Sequence, residues 1–94
     1  MLGVVHYTLG HYELAAQHFD EARKLSEELG DRATAMPLLN NLGVLAAARG
    51  DYNNAVQRYQ NALAIAHEIG QREAEMVYRI NLGGALVGLI AYAA

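Results

Sequence analysis

Cysteine is absent from the 94-residue chain. That excludes a disulfide framework, a thiol nucleophile and a cysteine-ligated metal. It also fits a reducing compartment, so a cytoplasmic setting is expected. Basic residues are few: seven Lys plus Arg stand against ten Asp plus Glu, for a net charge of −3. They form no cluster, so no nucleic-acid partner is expected. The start, Met1-Leu2-Gly3-Val4-Val5-His6, lacks the basic region of a secretory signal. Two stretches carry no formal charge, Ala33 to Ala48 and Ile80 to Ala94. Both are shorter than the ~20 apolar residues of a spanning helix, so no membrane partner is expected. The second holds Gly84-x-x-x-Gly88, a spacing that favours dimerisation only within a longer apolar helix.

Catalytic signatures are missing too. There is no HExxH, no Walker loop and no GxSxG. The histidines are His6, His11, His18 and His67. His11 and His18 can share a helix face, but no metal-site spacing of carboxylates surrounds them, so they are read as solvated. No enzyme activity, metal or cofactor is expected.

What the chain does have is apolar content and a period. At 53% hydrophobic and 18% charged it is too apolar for a disordered tail, and its length suits one domain. Slid upon itself by 40 residues, it gives 54 aligned pairs of which 16 are identical. Composition alone would give about 5, so the repeat is real. The pairs include Leu2/Leu42/Leu82, Gly3/Gly43/Gly83, Tyr12/Tyr52/Tyr92, Ala15/Ala55, Ala22/Ala62, Met36/Met76 and Asn41/Asn81. The units are a partial repeat over 1–30, a full one over 31–70 and a partial one over 71–94. The expectation is a piece of a longer array.

Glycines at 10, 30, 50 and 70 punctuate the chain at helix ends, where a left-handed residue is needed. No stretch shows strand alternation. Five helices are expected, over about 2–9, 12–29, 34–49, 52–69 and 72–91, with ends uncertain by a few residues. Asp51 is placed as an N-cap. Pro37 belongs in a first turn, which places the preceding start at Thr34 as N-cap. The helix from Tyr12 has an apolar stripe of Leu14, Ala15, Phe19, Ala22, Leu25 and Leu29 against a charged remainder, so it is an outer helix with one wet face. The 34–49 helix lacks charge all round and is the inner, enclosed type.

These spacings resemble the tetratricopeptide repeat. The motif reads Leu42-Gly43, Ala46, Gly50, Ala55-x-x-x-Tyr59, Ala62, and in the first unit Leu2-Gly3, His6, Gly10, Ala15-x-x-x-Phe19, Ala22. The third begins Leu82-Gly83, Leu86 and then departs, with Ile90 in place of glycine. The 40-residue period is similar to the long variant of kinesin light chains and bacterial regulators. The resemblance implies an all-α solenoid of antiparallel helix hairpins in a right-handed superhelix, about two and a third repeats.

It also implies a non-catalytic scaffold that binds a peptide or helical segment of a partner protein in a groove lined by the inner helices. Carried over by the motif, the groove residues are Asn40, Asn41, Val44 and Ala47, then Val77, Ile80, Asn81 and Val87, with Tyr7 from the first unit. An amide offers a donor and an acceptor, so Asn41 and Asn81 can satisfy the main chain of an extended peptide. They can equally cap a local carbonyl or face water. Val44, Ala47 and Val87 can touch a ligand or pack between units. The groove lacks the cations that clamp a carboxylate, so an apolar or amphipathic segment is the expected ligand. The alternative is self-association through the last helix, whose Leu82, Leu86 and Leu89 follow at i, i+4, i+7 and await cover.

Overall fold

A computed structural model describes residues 11–93. They form four α-helices: α1 (Tyr12–Glu28), α2 (Arg32–Ala48), α3 (Tyr52–Glu68) and α4 (Arg72–Ala93). No strand occurs among the described residues. Four helices are therefore described where five were expected, and the fifth, over 2–9, lies outside the described residues, as does Gly10.

Each connection is three residues long and is closed in the same way. Gly30, Gly50 and Gly70 sit at φ of 71°, 80° and 75°. The residue after each glycine donates its N–H back across the helix end: Asp31 to the Ser26 carbonyl, Asp51 to Ala46 and Gln71 to Ala66, all at 2.8 Å. This satisfies carbonyls that the helix itself leaves open and turns the chain back, so consecutive helices pack antiparallel.

The N-termini correct one expectation. Asp31, not Thr34, caps α2: its carboxylate accepts from the Thr34 N–H at 3.1 Å and from the Thr34 hydroxyl at 2.6 Å. The helix thus starts at Arg32 and carries Pro37 at its sixth position. The proline withholds one N–H from the Ala33 carbonyl, but Ala33 is exposed and water can reach it. Asp51 caps α3 as expected, accepting from the Asn54 N–H at 3.4 Å.

The helices pack in chain order, α1 on α2, α2 on α3 and α3 on α4, and the two inner helices α2 and α4 also touch. One core cluster joins Met36, Leu39, Ala62, Ile65, Ala66 and Tyr78. A second joins Ala46, Ala55, Tyr59 and Ala85. Both lie where α3 is wedged between α2 and α4. Small residues make that wedge possible: Ala55, Ala62 and Ala66 have no exposed surface at all. At Gly43 an added Cβ would stand 2.5 Å from the Tyr59 ring, so only glycine lets the aromatic lie flat on α2. The fully packed core is asymmetric, however. Of the α1 stripe only Ala15 is buried, while Leu14, Leu25 and Leu29 are exposed.

Candidate functional site

Two inner helices lie side by side, and each contributes the expected positions. On α2, Asn40, Asn41 and Ala47 are half-buried and Val44 is exposed. On α4, Val77, Ile80 and Val87 are exposed and Asn81 is half-buried. Tyr7 lies outside the described residues.

The asparagines are joined across the repeat. The Asn81 amide nitrogen donates to the Asn40 side-chain oxygen at 2.8 Å. This bond spans the seam between α2 and α4 and ties the two inner helices directly. It leaves each amide one free half: the Asn40 NH2 can still donate and the Asn81 oxygen can still accept. Asn41 makes no side-chain hydrogen bond among the described residues and keeps its full capacity. Helical spacing sorts the rest. Val77, Asn81 and Gly84 share one strip of α4, and Asn41 and Val44 share one strip of α2. Val77 and Gly84 thus lie one turn to either side of Asn81, and Val44 lies one turn from Asn40.

Ile80 and Val87 turn elsewhere. With Met76, Gly83 and Ile90 they follow at steps of four and three residues and form a second strip on α4. Its large side chains are open: Met76 65%, Ile80 68%, Val87 65% and Ile90 76% exposed. Ala47 instead packs against the Ala46–Ala55–Tyr59–Ala85 cluster. The leucines expected to be uncovered are not the centre of the open strip. Leu86 is exposed, but Leu89 is half-buried and Leu82 packs against that same cluster.

A feature that the sequence did not suggest is a recess of about 290 Å³ among α1, α2 and α3. Charged groups line it in matched pairs, Arg49 with Glu13 at 3.7 Å and Arg58 with Asp20 at 3.9 Å. The hydrogen bond from the Arg23 guanidinium at 2.7 Å holds the Asp20 carboxyl below the usual carboxylate range. The partners come from different helices, so no local spacing marks them. Burial pushes the Tyr59 and Tyr78 phenols up. Among the described residues no group of three His, Cys, Asp or Glu could hold a metal.

Packed antiparallel helix pairs at a 40-residue period, with Gly43 and Ala55 against the Tyr59 ring, define a helical-hairpin repeat protein. Residues 38–73 match the family model described as Tetratricopeptide repeat, a match that spans most of α2, all of α3 and the start of α4. A comparison with curated proteins finds no match. Tetratricopeptide repeats generally mediate protein–protein interactions and are typically non-catalytic.

Proposed function

We propose that the chain is a non-catalytic scaffold that holds an apolar or amphipathic segment of a partner protein along the α2–α4 seam. The observation that carries this reading is the amide bridge at 2.8 Å with exposed valines on both sides of it. The bridge fixes the spacing of the two inner helices. The free amide halves then offer donors and acceptors to a peptide main chain while Val44 and Val77 take its apolar side chains. Asn41→Ala is the clean test, because Asn41 holds nothing else in place. Isothermal titration against the captured partner is expected to lose affinity about tenfold, with the circular dichroism unchanged. Unaltered affinity would remove the seam from consideration.

Self-association is the second reading, supported by the open strip on α4. It runs through Met76, Ile80, Val87 and Ile90 with Leu86 at its edge, rather than through Leu82 and Leu89. A cytoplasmic setting suits the cysteine-free chain, and nucleic acid is not among the proposed partners. The segment Arg72–Tyr92 is long and apolar enough to cross a membrane by length and composition. Four charged residues, Arg72, Glu73, Glu75 and Arg79, lie in its first eight positions, and a membrane is not among the partners proposed.

A further inference from the structure

We propose that the recess among α1, α2 and α3 is a binding site for a monocarboxylate carried on a short apolar body. It lies away from the α2–α4 seam: Leu42 and Arg49, which line it, stand about half a turn round α2 from Asn40. Leu42, Leu45 and Ala46 of α2 supply an apolar floor, and α1 and α3 are the walls. Two guanidinium groups line this recess of about 290 Å³, Arg49 just past the end of α2 and Arg58 on α3. What sets them apart is the distance to their acids. Arg23 reaches Asp20 at 2.7 Å and Arg32 reaches Glu68 at 2.7 Å. Arg49 comes no nearer to Glu13 than 3.7 Å, and Arg58 no nearer to Asp20 than 3.9 Å. Both distances exceed the ~3.2 Å of a hydrogen bond.

The donors at this recess are therefore open. The Arg49 side chain makes no hydrogen bond among the described residues, and Arg58 commits only its Nε, to the Asn54 side-chain oxygen at 3.3 Å. The nearby acids do not fill the gap. Asp20 already takes Arg23 and Lys24, and Asp51 accepts from the Asn54 N–H as the cap of α3. The Glu13 side chain is 85% exposed and can swing clear into solvent. These three carboxylates also select the charge of the occupant. They repel a dianion such as a phosphate monoester about twice as strongly as a single carboxylate. A carboxylate meets a guanidinium through both of its oxygens, so it uses the open donors of Arg49 and Arg58 while its apolar body covers the floor. This site is independent of the peptide-holding seam proposed above.

Isocaproate titrated into the isotope-labelled chain is expected to shift the backbone amide resonances of Leu45, Ala46, Arg49 and Asn54, with a Kd of about 1 mM. Isocaproamide, which lacks the charge, and acetate, which lacks the body, each bind about tenfold more weakly. Arg49→Gln and Arg58→Gln each weaken isocaproate binding about tenfold, with the circular dichroism unchanged. Glu13→Gln strengthens it about threefold, because it removes a competing acid, and a purely structural ion pair would give no such gain. Asn41→Ala leaves it unchanged, which separates this site from the α2–α4 seam. A blocked alanine peptide with one central glutamate distinguishes the sources of the group. Displacement of isocaproate by the peptide assigns the recess to an acidic side chain of a partner protein, and failure to displace it assigns the recess to a free acid; both support a carboxylate site. The proposal is overturned if no recess resonance moves at about 10 mM isocaproate, if the amide binds as well as the acid, or if both arginine variants bind as well as the parent chain.

Discussion

The two inner helices began as copies of one another and ended in opposite circumstances. α2 buries Ala35, Met36, Leu39, Leu42, Gly43, Leu45 and Ala46 because α1 and α3 enclose it. α4 keeps Met76 and Gly83, the counterparts of Met36 and Gly43, with α3 on one side and solvent on the other. The lesson is that burial in a stacked array belongs to the neighbour and not to the residue. Identical amino acids at identical register are core in one copy and surface in the next. A repeat unit cannot bury its own apolar face, so its stability is largely an interface term.

The sharpest way to break this comparison is to make the same substitution in both copies. Gly43→Leu drives a branched side chain into the Tyr59 ring, which is only 4% exposed and has nowhere to move. A loss of upward of about 3 kcal/mol is expected, enough to unfold much of a domain this small. Gly43→Ala is milder, at about 1–3 kcal/mol by urea denaturation. Gly83→Ala meets nothing, and replacing glycine within a helix gains about 0.8–1 kcal/mol. The two alanines should therefore move the urea midpoint in opposite directions. Equal destabilisation by both would show that α4 is covered in solution.

The contrast also explains what was legible in the sequence. Helix ends were, because Gly30, Gly50 and Gly70 follow from backbone sterics that act within a few residues. The motif residues Gly43, Ala55 and Tyr59 were, because two copies of the pattern displayed them, but the contact of Gly43 with the Tyr59 ring was not. The α2 start was misassigned because Pro37 was given more weight than the Gly30-Asp31 pair, although Gly50-Asp51 is the same device one turn of the array later. The open strip of α4 was not legible in the choice of Leu82, Leu86 and Leu89. A helix apolar on nearly every side carries no phase information, and only the position of Tyr59 relative to Gly43 supplies it. The Asn81–Asn40 bond joins residues 41 apart in a chain of period 40, so it runs diagonally across the repeat where no in-register pairing points.

That diagonal bond sharpens the comparison at smaller scale. Asn81→Ala removes the only side-chain hydrogen bond between α2 and α4 among the described residues. The Asn40 oxygen is half-buried and can turn to water, so the cost is about 0.5–1.5 kcal/mol. A double-mutant cycle with Asn40→Ala should show coupling of that order, and additive effects would mean that the bond contributes nothing in solution.

The smallest effect separates the two ends of the stack by pH. At the α1 end, Asp20 is hydrogen-bonded by Arg23 and approached by Lys24 and Arg58, and its carboxyl is held below the usual carboxylate range. Asp31, at the α1–α2 turn, is lowered in the same direction by its bonds from the Thr34 hydroxyl and N–H. A carboxyl with a lower value in the folded state binds fewer protons there than when unfolded. Its contribution is complete above the unfolded value, near pH 4, and fades as the pH falls through the folded one. Both carboxyls are mostly solvated, so the change is small and screened by salt. The open strip of α4 holds no acid: it consists of Met76, Ile80, Gly83, Val87 and Ile90. Between pH 5 and about 3, amide exchange should therefore quicken in α1 and at the N-terminus of α2 before it quickens along α4 from Ile80 onward. The reverse order would mean that the apolar strip, and not the charged end, is where this stack comes apart.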